Sequence, residues 1–343
     1  MRLYPRNMTR ACILGCSGAR LNAEERKLFE ASQPFGFIVF ARNIENPAQL
    51  RALVGELRAI TGRADTPILI DQEGGRVQRL KPPHWPDFPP AALFGEIYAR
   101  DRTRGLEAAR LGAQLIAAEL IALGINSDCL PVADLRHPEG HGIIGDRSYG
   151  SEPNVVSELA GAAAKGLVEG GVLPIVKHIP GHGRARSDSH EELPVVATPI
   201  EELDRTDFEP FRKLAGLPVA MTAHVVYSAI DPESAATVSP IVIEEVIRGR
   251  IGFDGLLITD DLSMKALRSS LGSRTGAAFA AGCDIALHCN GQIAEMREVV
   301  AASPELAGKA QKRASAALGR LGTTGKGLNV AEARALFSAM IAA

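Results

Sequence analysis

Residues Lys177 to Val196, KHIPGHGRARSDSHEELPVV, concentrate side chains that could do acid–base or metal chemistry. Three of the chain's eight histidines, His178, His182 and His190, lie here. Asp188 is two residues before His190, so in an extended loop the two side chains face the same side. A carboxylate beside an imidazole orients the ring and raises its proton affinity, which suits a group that donates a proton and later recovers it. Asp188 and His190 are therefore our candidate acid–base dyad.

A metal site is the alternative interpretation of this segment. His178, His182, Asp188 and His190 have suitable donor atoms, but their spacing differs from HExxH and from other tight metal motifs. The intervening GHGRARSDS is rich in Gly, Arg and Ser, which offers no regular structure to hold tetrahedral ligands. Lys177 would also repel a divalent ion. We predict no metal ion and no cofactor.

Two more carboxylate motifs follow apolar runs. Asp260 and Asp261 occur in LLITDDLSM, where two adjacent aspartates exceed what one helix N-cap requires. We therefore predict that at least one is functional and that the other caps the following segment. Asp71 in LIDQEGGRVQRL is followed by Arg76 and Arg79. A carboxylate and a guanidinium together suit sugar hydroxyls, although a buried structural Asp–Arg pair is the competing interpretation.

The elements that must position these residues are eight short apolar runs separated by amphipathic segments. Strand–helix alternation predicts a parallel sheet, and eight strands favour a (β/α)8 barrel over an open sheet. No GxGxxG follows the first run, which weakens a dinucleotide-binding alternative. We predict one domain over residues 1–343, with helices from Pro304 onward packed on the outside of the barrel. The runs are ACIL at Cys12, GFIVF ending at Phe40, PILI ending at Ile70, INSDCLPV around Cys129, LPIV ending at Val176, PVAMTAH ending at His224, GLLIT ending at Thr259 and CDIALH ending at His288.

In such barrels the active site lies at the carboxyl ends of the strands. The motifs DQEGGRVQRL, KHIPGHG, AHVVY and TDDLSM lie at the ends of runs three, five, six and seven. The fold therefore predicts that these polar side chains converge on one site.

Composition limits the partners and the compartment. The chain has 343 residues with 38 basic and 40 acidic side chains, so no strong field favours nucleic acid or an anionic membrane. The five cysteines include no CxxC pair and lie mostly in apolar runs, which fits buried thiols in a reducing compartment. ACILGC is too short for the core of a secretion signal, and no run approaches a membrane span of about 20 residues. We expect a cytoplasmic protein.

With these motifs assembled, the chain resembles the β-N-acetylglucosaminidases of glycoside hydrolase family 3, in their short single-domain Gram-negative form. The resemblance extends from GFIVFARNI to GCDIALHCN and includes IGDRSYG and MTAHVVYSAID. It implies that Asp260 is the nucleophile and that His190, with Asp188 as partner, is the acid/base. It implies further that the sugar is bound by Asp71, Arg79, Arg147, Lys177 and His178. Ile179 and Ile258 stand where relatives would also carry aromatic residues, a difference expected to affect packing only.

The resemblance implies a retaining exo-glycosidase that removes terminal β-linked N-acetylglucosamine from anhydro-muropeptides during peptidoglycan recycling. We expect a monomer that binds a small-molecule muropeptide or another N-acetylglucosamine glycoside, and neither nucleic acid nor a membrane. Four alternatives stay open at this point. They are a phosphorylase using the same residues, substrate-assisted hydrolysis through the acetamido group, an inactive sugar-binding barrel and a metal hydrolase.

Overall fold

The computed structural model describes residues 8–187, 193–264, 269–321 and 327–342. Within these residues, eight parallel strands form a closed barrel in which each strand pairs with the next along the chain and β8 pairs with β1. The predicted (β/α)8 fold is confirmed, with a strand at each predicted apolar run. The strands are β1 (Arg10–Gly15), β2 (Pro34–Val39), β3 (Ile68–Ile70), β4 (Ser127–Asp128), β5 (Leu173–Ile179), β6 (Val219–Thr222), β7 (Leu256–Asp261) and β8 (Ile285–His288).

Helices surround the barrel and cover one of its ends. They are α1 (Ala23–Ser32), α2 (Pro47–Thr61), α3 (Ala91–Arg100), α4 (Arg102–Ala122), α5 (Pro153–Glu169), α6 (Ile200–Arg205), α7 (Glu209–Lys213), α8 (Leu271–Ala281), α9 (Ile293–Ala302), α10 (Gly308–Leu318) and α11 (Val330–Ile341). A π-helical segment spans Val242–Arg250, and 3-10 turns span Ala41–Asn43, Gly145–Arg147 and Ala236–Val238. Two small sheets lie outside the barrel, one pairing Gln72–Gly74 with Val77–Gln78 and the other pairing Val195–Val196 with Val226–Tyr227.

Local sequence explains where several helices begin and end. Asn22 caps α1 by accepting from the amides of Glu24 and Glu25, and Glu25 reciprocates in a capping box. The segment PIEELDRTDFEPFRKLAG, which the pattern predicts as one helix, forms the two short helices α6 and α7. Pro210 explains the break, because a proline is tolerated in the first turn of a helix but not in its interior.

The two C-terminal helices occupy different places. α11 packs on the outside, against α3 and α4. α10 instead covers the amino-terminal end of the barrel, where Ala314 and Ala317 join the apolar interior formed by alternate strand residues such as Ile13. Arg313 of α10 secures this contact through ion pairs with Asp254 at 2.5 Å and with Asp284 at 3.1 Å. The opposite, carboxyl-terminal end of the barrel is thus the end available for a site.

None of the helices in the described ranges combines the length and apolar character needed to cross a membrane.

Candidate active site

A cavity of about 420 Å³ lies over the carboxyl ends of the strands. Side chains from seven of the eight strands or the loops after them line it, and the predicted residues Asp71, Arg79, Arg147, Lys177, His178 and Asp260 are all among them. These six residues are far apart in the sequence, so the convergence predicted from the barrel topology is present in the structure.

Five charged side chains form a continuous chain of ion pairs along one wall, which we call the charge ladder: Arg79, Asp71, Lys177, Glu73 and Arg147. Arg79 Nη2 and Lys177 Nζ each lie 2.9 Å from an oxygen of Asp71. Lys177 Nζ also lies 2.6 Å from Glu73 Oε1. Arg147 binds Glu73 through two parallel contacts of 2.8 Å, the bidentate geometry that a guanidinium and a carboxylate favour.

The ladder keeps its carboxylates ionised despite burial. Burial alone would raise the pKa of Asp71, but attraction by Lys177 and Arg79 outweighs it and holds that pKa well below its usual range. Burial likewise opposes ionisation of Glu73, yet Arg147 and Lys177 lower its pKa to about 2. Lys177 loses hydration on burial, but its two carboxylate partners raise its pKa above the usual value. Asp71, Glu73 and Lys177 are therefore charged at neutral pH.

A tight turn brings the two ends of the DQEGGRVQR segment together. Asp71 directly follows β3, and the chain reverses at Gly74 and Gly75, which have φ angles of 92° and 56°. A Cβ on Gly74 would lie 2.3 Å from the carbonyl oxygen of Pro89, so the turn requires glycine there. The reversal returns Arg79 to the carboxylate of Asp71.

A second polar cluster centres on Asp134, a fully buried residue in the loop after β4. Its Oδ2 lies 2.6 Å from Nδ1 of His178, and its Oδ1 accepts the backbone amide of His182 at 2.7 Å. Although burial opposes it, attraction by His178 lowers the pKa of Asp134. Burial and the neighbouring His178 lower the pKa of His182 to about 4, so His182 is neutral at neutral pH. Asp134 therefore fixes the ring of His178 at the cavity wall.

Hydrogen bonds distinguish the two adjacent aspartates at the end of β7. Both oxygens of Asp261 are used locally, since they accept from Ser263 N at 3.0 Å, Ser263 Oγ at 2.6 Å and Cys289 N at 3.0 Å. Asp260 accepts only the amide of Asp261, at 2.8 Å on Oδ1, from the residues that the structure describes. Burial would raise the pKa of Asp260, but it is lowered, chiefly by attraction from His224 and His178. Among the described residues, Asp260 is thus the ionised carboxylate in the cavity whose second oxygen, Oδ2, accepts no hydrogen bond.

The predicted dyad, Asp188 and His190, lies outside the described residues, and its role stays a prediction. Within the described part of the chain, no group of three or more His, Cys, Asp or Glu side chains is placed to hold a metal ion.

Sequence reasoning missed Glu73, Asp134 and His224 as site residues. Glu73 carries a usable signal, because it is two residues after Asp71 in an extended segment and therefore faces the same side. Asp134 follows the fourth predicted run and His224 ends the sixth, but nothing local indicates their partners.

Comparison with known proteins identifies the family. The sequence model of the glycosyl hydrolase family 3 N-terminal domain matches residues 8–321. The β-hexosaminidase of Alkalilimnicola ehrlichii is 41% identical over 285 residues, which cover 81% of this chain and 80% of that protein. The β-hexosaminidase of Pseudomonas aeruginosa is 40% identical over 286 residues, covering 82% and 83%. The structure of NagZ from Neisseria gonorrhoeae in complex with zinc ion superposes with a TM-score of 0.86 at 30% identity, covering 98% of this chain and 100% of that one. This chain therefore belongs to glycosyl hydrolase family 3 and is a glycoside hydrolase.

Proposed function

We propose that this family 3 hydrolase is a retaining exo-β-N-acetylglucosaminidase with Asp260 as its nucleophile. The observation that carries the proposal is the contrast between the two aspartates of β7. The two oxygens of Asp261 accept three hydrogen bonds, whereas Asp260 is ionised and its Oδ2 accepts none from the residues that the structure describes. An anionic oxygen without a fixed partner is what attack on an anomeric carbon requires. The β-hexosaminidase relatives support a hexosaminide as substrate.

The proposed reaction is a double displacement. Asp260 attacks the anomeric carbon while His190, protonated and paired with Asp188, gives its proton to the departing oxygen. The neutral imidazole then takes a proton from water, and that water releases the sugar from Asp260 with net retention. The charge ladder and His178 bind hydroxyl groups of the terminal sugar, because carboxylates accept and cations donate the hydrogen bonds that hydroxyls need.

The proposed substrate is a terminal β-linked N-acetylglucosamine on an anhydro-muropeptide, and the proposed setting is cytoplasmic peptidoglycan recycling by a monomer. Support for this finer statement comes from the resemblance of KHIPGHG, DSH and LLITDDLSM to the short Gram-negative enzymes.

Turnover of 4-nitrophenyl N-acetyl-β-glucosaminide tests the proposal, with and without millimolar phosphate, the sugar product being identified by mass. Free N-acetylglucosamine in both conditions supports a hydrolase, and activity that persists with a chelator argues against a metal hydrolase. A sugar 1-phosphate would make the protein a phosphorylase. Binding without any turnover would make it an inactive sugar-binding barrel.

Asp260→Asn and Asp261→Asn provide a matched pair of variants. Removing a covalent nucleophile costs about 10⁴-fold or more in kcat, and we expect this for Asp260→Asn alone. A fluorinated glycoside should form an adduct on Asp260 that peptide mass mapping locates. An adduct absent from Asp260, with turnover intact, would favour substrate-assisted hydrolysis and overturn the assignment.

His190→Ala tests the dyad separately. General acid–base catalysis contributes about 10²–10⁴-fold, so we expect a loss of that size in kcat with sugar binding retained. Near-normal turnover in His190→Ala would show that another group donates the proton.

A further inference from the structure

Three buried side chains connect the backbone at Asp260 to the backbone at Asp261; we call Thr222, Thr237 and His224 the relay. The amide of Asp260 donates to Thr222 Oγ1 at 3.2 Å, and Thr222 Oγ1 lies 2.7 Å from Thr237 Oγ1. Thr237 Oγ1 lies 2.7 Å from His224 Nδ1, and His224 Nε2 lies 3.0 Å from the carbonyl oxygen of Asp261. The relay thus begins at the backbone amide of Asp260 and ends at the backbone carbonyl of Asp261.

The donors and acceptors in the relay follow from its two ends. A carbonyl oxygen only accepts, so His224 Nε2 carries the proton of its contact with Asp261. Thr222 accepts from the amide of Asp260, so its own hydroxyl proton is free to point to Thr237. Thr237 then donates either to His224 Nδ1 or to the carbonyl oxygen of Ala223, which is 3.1 Å away. In the second arrangement His224 Nδ1 must carry a proton of its own and donate it to Thr237, because an unprotonated Nδ1 would face the hydroxyl oxygen with no hydrogen between them.

Burial makes these contacts stronger than they would be in water. All three relay side chains have no exposed surface. An unmade hydrogen bond at such a position costs the desolvation of the unpaired group, so the relay resists being broken one contact at a time.

The relay acts on the group that carries the nucleophilic oxygens. Its two ends hold the amide of Asp260 and the carbonyl of Asp261, and the amide between these residues holds Asp260 Oδ1 at 2.8 Å. Fixing both flanks of this short segment fixes the direction of that amide, and with it the plane of the Asp260 carboxylate.

We propose that Thr222, Thr237 and His224 are positioning residues that hold the Asp260 carboxylate in its attack geometry from behind the cavity wall. This inference rests on the proposed role of Asp260 as nucleophile. The three residues do not act on the sugar themselves, since Thr222, Thr237 and His224 do not line the cavity.

Thr237→Val is the sharpest test, because it keeps the shape of the side chain and removes the central hydroxyl of the relay. Misplacement of a reacting group by about 1 Å costs about 10²-fold, so we expect kcat to fall by about 10- to 100-fold with KM within about twofold. Thr237→Ser restores the hydroxyl and should recover most of the wild-type kcat. Glycosylation should be the slowed step, seen as slower labelling of Asp260 by the fluorinated glycoside.

Thr275→Val is the matched control, because Thr275 is also fully buried and its hydroxyl bonds the carbonyl of Leu271 at 2.7 Å within α8. We expect it to change stability without lowering kcat. Equal losses of kcat in Thr275→Val and Thr237→Val would overturn the inference, as would a higher KM at unchanged kcat in Thr237→Val. If Thr237→Val does not fold, Thr222→Val breaks the relay at its other hydroxyl and carries the same expectations.

The failure of this inference is distinguishable from failure of the proposed function. If Asp260→Asn is inactive while Thr237→Val has wild-type kcat, Asp260 is the nucleophile and the relay does not position it. If Asp260→Asn retains activity, the proposed nucleophile itself is wrong.

Discussion

Replacing Glu73 by Gln tests the charge ladder, because it removes one charge and keeps the shape of the side chain. The side chains of Glu73 and Lys177 are 4% and 3% exposed and that of Arg147 is 10% exposed, so water screens these ion pairs weakly. Breaking a buried pair by removing one partner costs about 3–5 kcal/mol. The fall in the pKa of Glu73 from 4.5 to about 2 gives a similar figure, about 3 kcal/mol at 1.36 kcal/mol per pKa unit.

The pH dependence of this stabilisation has a definite sign. Because folding lowers the pKa of Glu73, its contribution is fully present above pH 4.5 and is lost as the pH falls toward about 2. We therefore expect Glu73→Gln to be about 3 kcal/mol less stable than the wild type at pH 7, with the difference shrinking below pH 4.5. Urea unfolding followed by circular dichroism at pH 7 and at pH 3 measures both values.

Glu139→Gln is the control for this measurement. Glu139 also pairs with an arginine, Arg186 at 2.6 Å, but these side chains are 78% and 75% exposed. Exposed ion pairs contribute about 0–1 kcal/mol, so this variant should stay close to wild-type stability. Equal stability of Glu73→Gln and Glu139→Gln at pH 7 would refute the argument that burial makes the ladder strong.

Three further predictions concern the wall of the site and one glycine in each of two helices, α3 and α2. Asp134→Asn weakens the anchor of the His178 ring and should lower kcat/KM about 10-fold or more, measured with the nitrophenyl glycoside while the melting temperature is monitored. Gly95→Ala should destabilise the protein by about 1–3 kcal/mol in urea unfolding, because its Cβ would lie 1.9 Å from the carbonyl oxygen of Tyr149. Gly55→Ala, which meets nothing within 4 Å in α2, should instead stabilise by about 0.5–1 kcal/mol.

The barrel was predictable because the signals for its strands lie in short, continuous stretches of the sequence. Each strand is a short apolar run and each motif lies at the end of a run. Alternation and the position of barrel active sites therefore predicted that Asp71, Lys177 and Asp260 come together. The break between α6 and α7 was not predicted, because the apolar periodicity of the segment continues past Pro210.

The contacts between site residues were not predictable, because each contact joins residues that are distant in the sequence. Glu73 and Arg147 are 74 residues apart, and Asp71 and Lys177 are 106 apart. A sequence pattern gives the face on which a side chain lies, but not the register between loops that meet only in the folded barrel. His224 was missed for the same reason, since its contact with Asp261 spans 37 residues.

The pair Asp260 and Asp261 shows how identical neighbouring side chains acquire different chemistry. Both are carboxylates at the end of one strand. The sequence alone predicts only that one of them caps the following segment and that the other is functional. Asp261 is directed into the loop, where Ser263 and Cys289 use its oxygens and make it a structural anchor. Its amide and its carbonyl then hold Asp260 and the relay respectively. The structural aspartate therefore helps to orient the proposed nucleophile through its backbone, while the loop holds its side-chain oxygens.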